Sequence, residues 1–402
     1  MQLAGILNNI IQEYAWGSHT AIPELLGTPV SDKPQAELWM GAHPKAPSRV
    51  LLSGKWEPLD KVIAGHPVEI LGEAVSERFD NQLPYLFKVL AAAKPLSIQA
   101  HPDAQQAKDG FMRENRLQIP LTSPLRNFRD DHHKPECLCA LTRFWAMNGF
   151  RFVPDTTRYL KTLCPDVLQS GIRILEQSPD ADGLRRFMQS LLTMAPEEKS
   201  AAISQAVSIA EVLSAGSDSV YAWILRLYDA YPSDIGVLSP AFLNLICLEP
   251  EQAVFLPAGE PHAYLEGVGI ELMANSDNVL RGGLTSKHVD VPELLRTLTF
   301  RSCSPSVLLP RKYSETEWVY ETPAAEFCLS QIRITEKQPH TASSSRSVDI
   351  LLCTAGNMTI TGADSHDHPL VLDRGKSAML PAIMGSYRLQ GNGVCYKAST
   401  PV

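Results

Sequence analysis

A short segment of this chain occurs twice, and that repeat limits the folds open to it more than any other feature. Leu248 to Tyr264 reads LEPEQAVFLPAGEPHAY, and Leu372 to Arg388 reads LDRGKSAMLPAIMGSYR. At one fixed offset Leu248 matches Leu372, Leu256 matches Leu380, and Pro257-Ala258 matches Pro381-Ala382. Each copy is an apolar run that breaks at a Leu-Pro-Ala turn, the texture of a strand with its connection. An element of this kind used twice implies two similar β-barrels in one chain. The copies differ at a chemically telling place, because His262 of the first is replaced by Ser386 in the second. The first barrel is expected to hold a metal ligand there and the second is not.

Between and before the copies the texture changes. Up to about residue 150, short apolar runs such as Leu83 to Leu90 and Leu96 to Ala100 are bounded by Pro and Gly, as strands are. From about 155 to 235 the periodicity becomes helical: Leu184, Phe187, Leu191 and Met194 fall on one face, as do Ile203, Val207 and Ala210, and Ile224, Leu227 and Tyr228. Asp155-Thr156-Thr157 reads as a helix start, while Pro179 and Pro196 place element ends at Ser178 and Ala195. The expected fold is mainly β with an α insertion. A first barrel is built from 1–152 and 237–312, a helical insertion covers 153–236, and a second, metal-free barrel covers 313–402.

The 402 residues carry a formal charge of −8 with no basic run, which argues against nucleic acid as a partner but leaves room for a local anion pocket. No apolar stretch approaches the roughly 20 residues of a membrane span, and the N-terminus lacks the pattern of a secretion signal. The eight cysteines are scattered. Cys137 and Cys139 would share one face of a strand, a geometry unsuited to a mutual disulfide, so reduced thiols in the cytoplasm are expected.

Strand alternation then groups the chemistry. Gln99 and His101 share one face, with Pro102 ending the ladder. Lys134 and Glu136 share a face if that strand begins by Lys134. The turn Pro257 to Tyr264 aims His262 inward. Two imidazoles, a carboxylate and an amide oxygen suit one divalent zinc with a position left for water or substrate. Taken singly, each has a plain structural alternative: a satisfied core histidine, or a Glu136–Lys134 ion pair. His366 and His368 are flanked by Asp364, Ser365 and Asp367 and read as a solvated loop rather than a second metal site.

Several ordered segments resemble type I phosphomannose isomerases of the cupin superfamily: Gln12 to Ser18 (QEYAWGS), Ala36 to Gly41 (AELWMG), Lys94 to Pro102 (KPLSIQAHP), His133 to Glu136 (HKPE) and Gly269 to Thr285 (GIELMANSDNVLRGGLT). The resemblance covers most of the chain. It implies a cupin-type jelly-roll catalytic domain, a helical insertion and a C-terminal cupin-like domain. It also implies one zinc on Gln99, His101, Glu136 and His262, a catalytic arginine at Arg281, and interconversion of mannose 6-phosphate and fructose 6-phosphate. His132 stands where asparagine is expected before HKPE, and Glu251 replaces a turn glycine.

Moving a proton between C2 and C1 through an enediol needs a base, proton donors and positive charge. Arg281 stays protonated, so it is expected to stabilise the enediolate or bind phosphate; its structural alternative is an ion pair with Asp277 or Glu271. Glu271, set between Ile270 and Leu272 where burial raises a carboxyl, is the favoured base, ahead of Asp277 and Lys134. Ser97 and Lys88 are candidate phosphate contacts, and Trp16 a stacking surface for the sugar. A monomer is expected. An iron cupin dioxygenase is disfavoured by Gln99, a poor anchor for redox iron. A purely sugar-binding cupin does not need so many titratable groups, and a nucleotidyltransferase would show a Gly-rich nucleotide loop.

Overall fold

The computed structural model describes residues 3–216, 219–362 and 369–402; His366 and His368 lie outside them. Among the described residues two sheets of eleven strands each dominate, with helices gathered mainly between Val153 and Phe242. In the first sheet, neighbouring strands run Ala253–Leu256, Glu136–Ala140, His262–Ala274, Tyr85–Ala92, Glu37–Met40 and Ile10–Gln12. In the second, the same order is followed by Ser377–Leu380, Asp349–Gly362, Tyr387–Ser399, Cys328–Ile334, Glu317–Tyr320 and Arg311–Lys312. The strands also follow one another along the chain in the same sequence in both sheets, and these pairings are antiparallel. The short repeat seen in the sequence therefore belongs to a six-strand duplication.

Period-two alternation explains how one strand serves two interiors. Tyr85–Ala92 is buried at every position and is apolar except for Lys88, because both of its faces are covered. Tyr85, Phe87, Val89 and Ala91 join Cys137, Cys139, Ile270 and Leu272 in a core shared with Ile350, Leu352, Met379 and Tyr396 of the second sheet. The opposite face carries Leu86, Lys88 and Leu90. Neighbouring strands place Glu136 and Glu271 on their corresponding faces, since each alternates with residues of the shared core. Each apolar side chain fully buried in such a core contributes about 1.5–3 kcal/mol. That set holds the two sheets together and fixes which way the polar residues point.

The strand His262–Ala274 turns a corner. Its second half pairs with Tyr85–Ala92 and Glu136–Ala140; its first half pairs with Phe144–Phe150 and, through His262, with Ile98–Ala100. The register shifts between Tyr264 and Glu266, and Gly267 adopts φ 134° at the bend. A Cβ there would lie 2.7 Å from the Arg143 carbonyl oxygen, so the corner requires glycine. The strand Gly5–Asn8 pairs with Ser377–Leu380, tying the start of the chain into the second sheet.

The helices between Val153 and Ala230 occur where the 3.6-residue period pointed, while others, Ala104–Arg116 among them, lie in the region read as strands. Leu184, Phe187, Leu191, Ile203, Ala210, Ile224 and Leu227 are buried in a core they share with Ile98, Met147, Phe150 and Ala263 of the strands beneath. Ser178 ends one helix and Ala195 precedes Pro196–Leu213, as the prolines indicated. The first helix begins earlier than Asp155: it spans Val153–Leu163, with Pro154 in its first turn and Asp155 near the positive end of the helix dipole. Glu251 has φ 73°, so the position does demand the left-handed conformation that glycine supplies most easily. Its carboxylate pairs with Arg333 at 2.6 Å, an interaction glycine could not make. Among the described residues, no helix is long and apolar enough to cross a membrane.

Candidate active site

The inward faces of these strands close around His101, Glu136 and His262, all buried, with one ligand atom from each lying within 4.8 Å of the others. His101 directly follows the strand Ile98–Ala100, Glu136 opens Glu136–Ala140, and His262 opens His262–Ala274. Their imidazoles are oriented by the backbone. His101 Nδ1 lies 2.7 Å from the Asn278 carbonyl oxygen, and His262 Nδ1 lies 3.0 Å from that of Glu260. With each Nδ1–H donating to a carbonyl, both Nε2 lone pairs are left for another partner. Asn278 is itself locked, its amide donating to the carbonyls of Asp130 and His132 at 2.9 Å each.

His101 Nε2 lies 3.2 Å from Glu136 Oε1, and His262 Nε2 lies 3.5 Å from Glu136 Oε2. Yet His101 Nε2 is buried without a well-directed hydrogen bond. A buried, orphaned imidazole nitrogen beside a carboxylate is what a metal site looks like from the protein side. Burial, then Lys134, lowers the His101 pKa to about 4, keeping the ring neutral and able to ligate. Burial would raise Glu136, but Lys134 and the imidazoles outweigh it and hold the carboxyl well below its usual range. Gln99 lies opposite His262 and Arg281 in register, and its half-buried side chain reaches the same chamber. The donor set therefore fits zinc.

Around the metal cluster the titratable groups interlock. Lys134 precedes the strand instead of lying within it, because Pro135 has no N–H for the ladder, but its Nζ still meets Glu136 Oε1 at 2.8 Å. Lys88 Nζ lies 2.8 Å from Glu271 Oε2 and 3.6 Å from Glu37 Oε2. Glu37 also accepts a 2.6 Å bond from Trp39 Nε1. Burial pushes Glu271 above the ordinary carboxylate value, with Lys88 opposing and Glu136 and Glu37 reinforcing. Burial alone would lower Lys88, but Glu271 and Glu37 carry it above its usual value. Tyr264 donates to Glu136 Oε2 at 3.3 Å.

A cleft of about 650 Å³ leads outward from this chamber, lined by Trp16, Ser97, Gln99, Arg129, Arg281 and Lys287 among others. The ion pairs considered for Arg281 with Asp277 or Glu271 do not form; among the described residues neither Arg281 nor Lys287 shows one. Burial, then Arg129, lowers the Arg281 pKa; burial, then Arg281 and Arg129, lowers that of Lys287. Mutual repulsion of this kind is relieved by an anion. Lys88, expected as a phosphate contact, is instead engaged by carboxylates in the inner chamber. Asp277 pairs with Lys45 at 2.8 Å and stands 3.6 Å from His43. Burial would raise it, but these two partners hold it well below the usual carboxylate range.

Sequence reasoning missed Glu37, Tyr264, Asn278, Arg129 and Lys287. Glu37 carried the same signal as Glu271, a carboxylate inside an apolar strand; the others need the register and the loop contacts to be seen.

The comparisons with known proteins agree with this site. Residues 6–153 match the family model for the catalytic domain of phosphomannose isomerase type I. The chain is 40% identical over 390 residues to the mannose-6-phosphate isomerase of Escherichia coli strain K12, covering 96% of this chain and 97% of that one. It is 34% identical over 400 residues to the human mannose-6-phosphate isomerase, covering 92% and 91%. A crystal structure of zinc-bound mannose 6-phosphate isomerase superposes with a TM-score of 0.90 at 39% identity, covering 99% of this chain and 100% of that one. A cleft built on a His-Glu-His cluster, with full-length similarity of this order, assigns the chain to the type I phosphomannose isomerase family.

Proposed function

We propose that this chain is a zinc-dependent aldose–ketose isomerase that interconverts D-mannose 6-phosphate and D-fructose 6-phosphate, moving a proton between C2 and C1 through an enediol. The observation that carries this reading is the meeting of a buried His101–Glu136–His262 cluster and the raised carboxyl of Glu271 in one chamber, beside a cleft lined by Arg281 and Lys287, which form no ion pair among the described residues.

Gln99, His101, Glu136 and His262 would hold the zinc, which when bound supplies Lewis acidity toward the sugar oxygens on C1 and C2. Glu271 takes and returns the proton, since burial makes it a stronger base than a solvated carboxylate. Asp277 is the weaker candidate because Lys45 and His43 stabilise its charge. Lys134 donates to a sugar oxygen from beside Glu136. Arg281 faces either the enediolate or the phosphate, and Lys287 and Arg129 add positive charge at the same end of the cleft. Ser97 supplies a neutral donor there, and Trp16 an apolar surface for the sugar ring.

The two sheets are read as cupin-type jelly-roll barrels, supported by the shared six-strand order. The first is made of 1–152 and 237–312 with 153–236 as the helical insertion, and the second of 313–402. Strands Gly5–Asn8, Arg49–Leu52 and Lys55–Pro58 lie in the second sheet, so the first 152 residues contribute strands to both sheets. The eight free and mostly buried cysteines fit a reducing cytoplasm, with the chain acting as a monomer. The reading is tested with Glu271→Gln: zinc content is retained while exchange of the C2 proton with solvent stops. Normal exchange in this variant would reject Glu271 as the base.

A further inference from the structure

The second sheet carries an open cavity of its own, about 690 Å³, against about 650 Å³ for the active cleft. The strand register shows what lines it. In the first sheet Glu136 lies opposite Leu256; in the second, Asp349 lies opposite Leu380, the residue that matches Leu256 in the repeat. Lys88 lies opposite Glu271, and its counterparts are Ser330 opposite Lys397. Glu37 lies opposite Leu90, two residues beyond Lys88; Glu317 lies opposite Ile332, two residues beyond Ser330. Glu37, Lys88, Glu136 and Glu271 are thus matched by Glu317, Ser330, Asp349 and Lys397. The polar ring survives duplication with its lysine moved to the neighbouring strand.

All four counterparts line the second cavity, and Glu317, Ser330 and Asp349 are each at most 4% exposed. Keeping such groups buried is costly unless they are paired or used. Their charges are matched internally. Lys397 Nζ lies 2.6 Å from Glu317, Arg346 lies 3.5 Å from Asp349, and at the rim Arg311 lies 3.0 Å from Glu321. Tyr387 also donates to Asp349 at 3.0 Å. The His262 imidazole of the first site is lost, because Ser386 takes its place in the repeat and donates to the Ala342 carbonyl oxygen. At the rim Tyr313 is 74% exposed, an aromatic face with no core to fill.

We propose that this cavity is a second binding site, for an unphosphorylated sugar or similar neutral polyol. Carboxylates, a lysine and serines at its floor can accept from and donate to hydroxyls, and the Tyr313 ring offers an apolar surface to a sugar's C–H face. Its cations are already paired with carboxylates, unlike Arg281 and Lys287 in the active cleft, so nothing compensates a phosphate. His340 stands 3.9 Å from Glu317 but does not line the cavity, and among the described residues no second His-Glu-His cluster forms, so the site does not repeat the isomerase chemistry.

The test titrates D-mannose by calorimetry into the full zinc-loaded chain, with mannose 6-phosphate present at saturation to fill the active cleft. Saturable binding with a Kd of millimolar order is expected, weakened at least ~10-fold by Tyr313→Ala while kcat/KM for isomerisation stays within ~2-fold. Glu317→Gln should weaken it as well; should that variant not fold, Tyr313→Ala decides alone because its side chain is at the surface. No saturable mannose binding, loss of binding when mannose 6-phosphate is added, or unchanged binding in Tyr313→Ala would overturn the proposal. Isomerisation is assayed separately, so failure of the catalytic reading and failure of this one are told apart.

Discussion

Replacing Lys88 with methionine removes one charge from a buried triad and leaves two carboxylates, Glu271 and Glu37, facing each other across the inner chamber. The Lys88–Glu271 contact at 2.8 Å is worth about 6 kcal/mol of gross attraction at an effective dielectric constant of about 20. Much of that is offset by desolvation, and breaking a buried pair from one side costs about 3–5 kcal/mol. The loss should depend on pH in a specific direction. Burial already raises Glu271 against the opposition of Lys88, so deleting the lysine raises it further. A carboxyl raised in the folded state favours folding below its unfolded value of about 4.3, and the advantage is lost as pH climbs through the raised value. Lys88 itself, whose folded value lies above the ordinary lysine value, remains charged throughout this interval and adds no slope of its own. Urea unfolding of parent and Lys88→Met holoenzymes should therefore differ by about 3–5 kcal/mol at pH 8 and by clearly less near pH 5. An equal loss at both pH values, or less than about 1 kcal/mol at pH 8, would refute the argument that this cluster is a strained, charged triad.

Arg281→Gln should lower kcat/KM by roughly 10²–10³-fold while leaving zinc content and unfolding midpoint close to the parent, because the guanidinium forms no ion pair among the described residues; a large stability loss would point to a structural role. Asp277→Asn should destabilise the protein at neutral pH. Since the folded Asp277 value is depressed, its contribution is present above the ordinary aspartate value and lost as pH falls toward the depressed one, so the difference from the parent should close in acid. Exchange of the C2 proton should persist in Asp277→Asn; its abolition with zinc intact would transfer the base from Glu271 to Asp277.

Local rules carried the reading of the sequence where one element decides the outcome. Alternation alone separated Cys137 and Cys139 from Glu136, and the structure buries the thiols against the second sheet while the carboxylate turns inward. Burial pushes the Cys139 thiol up to about 12, in keeping with an inert core residue. The helical period between Leu184 and Leu227 likewise marks the face that is buried. Pairing information was harder to see. Lys88 looked like a free cation because nothing in a linear chain shows that Glu271 lies opposite it, 183 residues away. Arg129 and Lys287 come from separate loops and converge only after Asn278 fastens the segment around Asp130 to the start of Leu280–Gly283. The helix start at Val153, two residues before the polar Asp155, escaped a reading based on polar caps because its N-cap, Phe152, makes no side-chain cap. The repeat was visible in one element, but its full extent needed the strand order of both sheets.

The central claim is that a single zinc held by Gln99, His101, Glu136 and His262 enables isomerisation of mannose 6-phosphate. Its most direct test measures metal content and isomerase activity together: in the purified chain, after chelation, after zinc is returned, and in His262→Ala. The account predicts one zinc per chain, loss of activity with the metal, recovery of both on adding zinc back, and neither in His262→Ala. Full activity in the metal-free chain, or undiminished zinc binding in His262→Ala, would contradict it.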